Sequence, residues 1–422
     1  MPQPTSLPSA PSDAALSGAG VLDVLEARGF VKQCTDLDAL RAHLAAGPVT
    51  FYVGFDPTGD SLHVGHLLPI MAMSWLQRAG HRPVIVHGGG TAMVGDPSGK
   101  TKTRDMITPE QIRDNLAGQR PQFSRFLDVG GGADQALLFD NADWLLSLNY
   151  VQFLREVGRH FSVNRMLTAE GAQQRLERNQ GLSFIEFNYH LLQSYDFLHL
   201  HRAVGCTLQL GGNDQWFNIL GGTDLIRRET GGEAHGLTVP LILTADGKKM
   251  GKTEAGAVFL DADKVSPFAY YQYWINVQDA DVGRFLKLYT WLPLDRIAEL
   301  EALQGARVRE AKAVLAHEAT RMAHGQVAAD EARAASEAMF GGGSQAAAAP
   351  THATRFPVTV LDALVDSGLA ASKGAARRLI KQGGVKVEVD GRKVKVEAPE
   401  QSIDGPTVLW KGKKSPLQLV EG

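Results

Sequence analysis

Cysteine is nearly absent from this chain: Cys34 and Cys206 are the only two in 422 residues, far apart and in no metal-ligand spacing. That excludes a disulfide framework and a cysteine-built zinc site, and makes a reducing cytosol the expected compartment. Long apolar runs are missing as well; none approaches the roughly eighteen residues that a membrane helix needs. The opening stretch, "MPQPTSLPSAPSDAALSGAG", has neither a basic start nor an apolar centre, so no secretory signal is expected there. Its Pro, Ser and Ala content predicts a disordered arm over residues 1–19. Strong net charge is also lacking, at −3, which argues against a general nucleic-acid coat. The charge is uneven, however. From Arg355 onward 12 Lys and Arg face 8 Asp and Glu, a net of +4, and the remainder carries −7. A basic tail on an acidic body suits a polyanion partner for the tail, or is chance asymmetry on a solvated surface.

What is present describes an ordinary globular chain, 44% hydrophobic and 21% charged, long enough for two or three domains. "VTFYVGF" (49–55), "RPVIVHGG" (82–89), "ALLFD" (136–140), "CTLQLGG" (206–212) and "LTVPLIL" (237–243) are strand-like, and longer helical patterns separate them. "TPEQ" (108–111) and "SFIE" (183–186) carry the pattern of a helix capping box. This alternation predicts a Rossmann-like α/β fold: a mostly parallel, doubly wound sheet that binds ligands beyond the carboxyl ends of its strands. The sheet domain is expected over 20–263, an all-helical domain over 264–340, a flexible linker over 341–356 and a small α+β domain over 357–422.

Two stretches nearly match a phosphate-binding P-loop. "GDPSGKTKTR" (95–104) and "GKKMGKT" (247–253) each have three residues between the glycines where a P-loop has four. No acidic strand end suited to magnesium is obvious either, so a P-loop enzyme is rejected. Each stretch alone also fits a solvated basic turn. After the first strand comes "DPTGDSLHVGHLLPI", in which His63 and His66 stand three apart at an expected helix start and face one way. A zinc site needs a third ligand and usually a catalytic carboxylate, and the spacing is not that of the zincin motif. The histidines suit phosphate better. Gly65 between them lets a flat ligand lie on the backbone, and the helix N-terminus offers free N–H groups.

"HVGH" after the first strand and "KMGKT" after a late one resemble the paired signatures of class I aminoacyl-tRNA synthetases. "YVGFDPTGDSLHVGHL", "GDPSGKTKTR", "FNYHLLQSYDF", "LQLGGNDQW" and "ADGKKMGKT" resemble, more specifically, the bacterial tyrosyl-tRNA synthetases, over residues 20–422. The resemblance implies tyrosine activation by ATP with Mg2+, then transfer to tRNA(Tyr), by a cytoplasmic homodimer. It implies that the helical domain lies on the anticodon side. By motif position, Thr58, His63 and His66 would serve the ATP phosphates, and Lys100, Arg104, Lys249, Lys252 and Thr253 would close over the departing pyrophosphate. Gly54, Asp56, Gly212, Asp214 and Gln215 would line the adenylate. Tyr189, Gln193 and Asp96 would hold the substrate ammonium, with Asp196 and Tyr52 on its phenol.

Independently of any resemblance, Tyr189, Gln193 and Asp196 share one face of the helix expected after Ser183, an unusual polar set for a core-facing surface. Val64, Gly251 and Thr253 depart from the family signatures without removing a charge or donor. The tail resembles a small RNA-binding fold, with Lys373, Arg377, Arg378 and Lys381 striping one helix. A tryptophan-specific relative, or a catalytically silent RNA-binding protein on the same scaffold, is the competing reading.

Overall fold

A computed structural model describes residues 20–96, 107–178, 183–245, 247, 250–253, 256–340, 350–370, 372–389, 392–412 and 415–422. The arm expected at 1–19 and the first nine residues of the expected linker lie outside that set. The chain divides into two compact units, one ending at Gln326 and the other spanning Val327–Gly422.

The first unit is built on a six-stranded sheet. Its strands are β1 (Gln33–Cys34), β2 (Thr50–Phe55), β3 (Arg82–His87), β4 (Leu137–Asp140), β5 (Cys206–Gly212) and β6 (His235–Val239), in the order β1-β6-β5-β2-β3-β4. All neighbours pair in parallel except the short edge strand β1, which runs antiparallel to β6. The chain proceeds from β2 to β3 on one side and returns as β5 on the other, so β2 and β5 flank the switch point where such sheets open a crevice. Phe51, Val53, Val84, Ile85, Leu208, Leu210 and Leu237 are fully buried, the near-continuous apolar runs that a sheet covered on both faces requires.

The expected strand at 237–243 is displaced to His235–Val239. Pro240 has no N–H to offer the ladder, and pairing stops before it. Thr108 and Gln111 form the expected capping box. Ser183 does not: it begins helix Phe184–Val204 without a side-chain cap, and Glu186 instead takes two hydrogen bonds from the buried Arg175, at 2.7 and 3.0 Å. A buried ion pair satisfies more of Glu186 than a terminal N–H would.

Helix Val64–Arg78 crosses from β2 to β3 and is buried on nearly every side. Stacked cations and hydrogen bonds tie it to helix Gly20–Arg28 and to the segment 287–292 that ends helix Val282–Tyr289. The Arg28 guanidinium lies 4.0 Å from the Trp75 ring centre, and Arg78 lies 4.1 Å from that of Trp291. Arg28 also donates to the carbonyls of Lys287, Thr290 and Leu292, and Trp291 Nε1 donates to Ser74 Oγ at 3.1 Å.

The second unit holds a five-stranded sheet in the order Arg392–Lys395, Val385–Val389, Thr407–Lys411, Ser415–Glu421, Thr351–Thr354. Thr351–Thr354 belongs to the stretch expected as linker; it pairs in parallel with Ser415–Glu421. Helices Val360–Asp366 and Lys373–Lys381 pack Leu361, Leu364, Ala376 and Ile380 onto Val385, Val387, Leu409 and Leu419.

His87 ends β3 fully buried, edge-on to Phe123, and neither ring nitrogen has a partner among the described residues. Burial, then the charge of Arg120, presses it from 6.5 to about 4. Burial first does the same to His190 and His324, each down to about 4. The unfolded chain therefore binds more protons between these values, and folded-state stability falls as pH drops through that window. Denaturant titrations should give a lower unfolding free energy at pH 5 than at pH 7.5, and His87→Leu should flatten the slope by about one proton. An unchanged slope in that variant contradicts a neutral buried imidazole.

Candidate active site

The histidine pair is built by the helix start itself. His63 is the N-cap of helix Val64–Arg78, with extended backbone. Its Nδ1 accepts the Gly65 N–H at 3.0 Å, and its own N–H is accepted by His66 Nδ1 at 3.1 Å. The rings stack with centres 3.9 Å apart. Both Nδ1 atoms are acceptors, so each ring in its neutral form carries its proton on Nε2. Burial and the neighbouring His63 press His66 down to about 3, so it is neutral at pH 7. A Cβ on Gly65 would fall 2.8 Å from His63 Cε1, which is why no side chain fits between the imidazoles.

The late loop packs against this cap. Val64 N–H donates to the Val258 carbonyl and Val258 N–H to the Gly251 carbonyl, both at 2.9 Å. Gly251 has φ +82, and a Cβ there would lie 2.9 Å from the Gly65 nitrogen. Lys252–Thr253 pairs in antiparallel fashion with Gly256–Ala257, which places their backbone; their side chains are not among those described. Lys100, Arg104 and Lys249 lie outside the described residues.

A second cluster sits between β2, β4 and helix Phe184–Val204. Asp196 is buried; Oδ1 accepts from Trp144 Nε1 at 2.7 Å and Oδ2 from Asn141 Nδ2 at 2.9 Å. Burial raises its carboxyl up to about 7 against those two donors, and Asp56 and Asp140 add repulsion. Asn141 also donates to Thr91 Oγ1, which donates to Asp56 Oδ1, so a chain of hydrogen bonds joins Asp196 to Asp56. Tyr52 lies mid-strand in β2, its ring edge-on to Phe197 and its hydroxyl buried, with no partner among the described residues. Burial, then the charges of Asp196 and Cys206, push that phenol well above its ordinary value.

Tyr189 is buried on the same helix, and Gln193 Oε1 is buried with no partner among the described residues. Asp96 Oδ2 accepts from Gln215 Nε2 at 3.0 Å, which joins two residues expected on different parts of a ligand. Gly54, near the end of β2, is exposed, with nothing within 4 Å of where a Cβ would stand. Thr58 and Asp214 are exposed, and Asp214 Oδ1 lies 2.5 Å from the Cβ position of Gly212. In the second unit Lys373, Arg377, Arg378 and Lys381 are exposed on one helix; Lys373 pairs with Asp362 at 2.9 Å.

Sequence reasoning missed Asn141, Trp144 and Gln209. Gln209 stands beside Tyr52 in register across β2 and β5, and its Oε1 is buried with no partner among the described residues. A lone amide inside the apolar run "CTLQLGG" was the available signal. Asn141 and Trp144 follow the carboxyl end of β4, a position that becomes informative only once the sheet order is known.

An open parallel sheet with a histidine-capped first crossover and a glycine–lysine loop docked on that cap defines the class I aminoacyl-tRNA synthetase fold. Residues 44–341 match the family described as tRNA synthetases class I (W and Y). The tyrosine–tRNA ligase of Clostridium tetani is 49% identical over 408 residues, covering 96% of this chain and 99% of that protein. That of Caulobacter vibrioides is 52% identical over 402 residues, covering 93% and 96%. Among solved structures, a C-terminally truncated mitochondrial tyrosyl-tRNA synthetase from Aspergillus nidulans superposes with a TM-score of 0.68 at 29% identity, over 76% of this chain and 94% of that one. The chain belongs to this family, in its bacterial tyrosyl-tRNA synthetase branch.

Trp144→Phe removes one of the two donors to Asp196. The carboxyl midpoint should then rise by roughly 1–2 pH units, as loss of a hydrogen bond to a charged group implies. Carbon-13 NMR titration of the Asp196 carboxyl measures this directly. A midpoint left at its starting value would refute the tether.

Proposed function

We propose that the chain ligates tyrosine to tRNA(Tyr) in two steps within this site. An oxygen of the tyrosine carboxylate attacks the α-phosphorus of ATP. The bond from that phosphorus to the oxygen bridging the β-phosphate breaks, and pyrophosphate leaves. A hydroxyl of the terminal tRNA ribose then attacks the tyrosyl carbonyl, loses its proton, and AMP departs. The observation that carries this reading is the buried polar set: among the described residues Tyr52 Oη, Gln193 Oε1 and Gln209 Oε1 have no partner, and Asp196 keeps a lone pair on each oxygen beyond its two tethers. Such groups are costly in an empty core and are satisfied by a phenol and an amino group.

In this assignment the phenol donates to Asp196 and accepts from Tyr52, while Asp96, Tyr189 and Gln193 take the ammonium. Phenylalanine leaves those groups unpaired, and tyrosine selection by a synthetase of this kind is the established illustration of that effect. The Nε2–H donors of His63 and His66, with Thr58, face the triphosphate at the helix N-terminus, where the dipole adds to their pull. Gly54 and Gly212 give the adenosine space, beside Asp56, Asp214 and Gln215. Lys100, Arg104, Lys249, Lys252 and Thr253 are assigned to pyrophosphate by sequence pattern. Mg2+ enters as part of the ATP substrate. Among the described residues no cluster of three or more His, Cys, Asp or Glu is arranged for a metal of its own.

Three further assignments go with this reading. A second copy of the chain is the proposed partner for the exposed apolar side chains Leu146, Val151 at 72% exposure, Val163 and Phe184 at 70%. The basic helix of the second unit is assigned to tRNA phosphates, and the helical segment after residue 264 to the anticodon side. A cytoplasmic location follows from the role in translation. Among the described residues no helix is long and apolar enough to cross a membrane.

Amino-acid-dependent exchange of labelled pyrophosphate into ATP is the test. Exchange should occur with tyrosine; exchange with tryptophan instead, or with no amino acid at all, overturns the reading. Arg377→Ala combined with Arg378→Ala should leave exchange intact and weaken tRNA charging, with a shallower salt dependence. Undiminished charging at physiological salt would count against the tail assignment.

A further inference from the structure

Three side chains from the helical segment grip the late loop at both ends, and none of them belongs to the ligand-facing set. At the leading end, Arg284 Nη2 donates to the Leu243 carbonyl at 2.6 Å, and Asp281 Oδ2 accepts the Ala245 N–H at 2.8 Å. Arg284 and Asp281 also pair with each other at 2.6 Å, and Asp281 is only 3% exposed. At the trailing end, Tyr273 Oη accepts the Gly251 N–H at 3.2 Å. These groups are rooted in packed structure. Tyr273 leaves helix Pro267–Ile275 edge-on to Trp274, with ring centres 5.3 Å apart, and Asp281 immediately precedes helix Val282–Tyr289.

What they hold is a close backbone approach. Gly251 sits against the Gly65 nitrogen, a fit that tolerates no Cβ, and Lys252 is the next residue. A backbone docked that tightly has one register, so the hydrogen bond to Gly251 fixes where Lys252 leaves the chain relative to the histidine cap. We infer that Tyr273, Asp281 and Arg284 are positioning residues for adenylate formation, acting through the loop that carries Lys252. The inference rests on the assignment of Lys252 to the pyrophosphate. Tyrosine binding does not use this loop, so the three should act on the rate of activation and leave substrate affinity alone.

The experiment compares wild type, Tyr273→Phe, Arg284→Gln, Lys252→Ala and the Lys252→Ala/Tyr273→Phe double variant as full-length protein. Single-turnover adenylate formation, the tyrosine Kd and the thermal midpoint are measured for each. Tyr273→Phe keeps the ring and loses only the acceptor; it should slow activation about two- to tenfold with Kd and midpoint unchanged, and Arg284→Gln should slow it comparably with Kd unchanged. Lys252→Ala should be slower still, and adding Tyr273→Phe should slow it no further, because the latch acts through that lysine. If Tyr273→Phe activates at the wild-type rate while Lys252→Ala is slow, the inference is overturned. It is equally overturned if Tyr273→Phe lowers rate, affinity and midpoint together, which marks a merely structural role. A wild-type rate in Lys252→Ala overturns instead the lysine assignment beneath it.

Discussion

Two hydrogen bonds between neighbouring histidines and their own backbone organise the catalytic end of this molecule. Capping is normally the work of Ser, Thr, Asp or Asn. Here an imidazole at the N-cap takes one of the free helix N–H groups, and a second imidazole one turn on reaches back to the first residue's N–H. Each bond uses an Nδ1 lone pair, so helix initiation and the tautomer of both rings are one decision. The stack also dictates its surroundings: it fills the volume a Cβ on Gly65 would need, and the bare backbone left there is the surface on which Gly251 rests.

The cluster around Asp196 obeys a different constraint. Asp196 is far from solvent and is held in one orientation by an indole N–H and an amide N–H, yet those donors do not restore an ordinary carboxylate. Desolvation wins over hydrogen bonding, and the group sits near neutrality. Tyr52 nearby, and Gln209 in register with it, hold buried polar atoms that have no partner among the described residues. An unsatisfied buried group costs about 1–3 kcal/mol, so this corner of the core is built at a loss, which on the proposed assignment the substrate removes.

Much of this was legible in the chain. The strand pattern pointed to the parallel sheet because β-branched runs bounded by Gly and Asp are local signals, and the histidine pair was visible because its spacing is that of one helical turn. What escaped was non-local. Glu186 stands where a capping box predicts it, but Arg175 arrives from another helix and offers a stronger bond. Asn141 and Trp144 carry no local signal until β4 takes its place at the sheet edge and aims them at Asp196, 55 and 52 positions away. The two-residue strand β1 has no periodicity to detect. Gln209 differs, since a polar residue within an apolar strand is itself a warning.

The unpaired hydroxyl of Tyr52 has a consequence for the lifetime of the protein. On the proposed assignment the substrate completes the core: its ring and phenol occupy a place that, in a protein without ligands, a side chain would fill. Any molecule bound only by the folded form shifts the folding equilibrium, by about 2.7 kcal/mol at a hundredfold excess over its Kd. Tyrosine is thus raw material and structural part at once. A cell starved of this amino acid would hold the same chain in a less durable form, so the supply of substrate sets how long the catalyst survives as well as how fast it works.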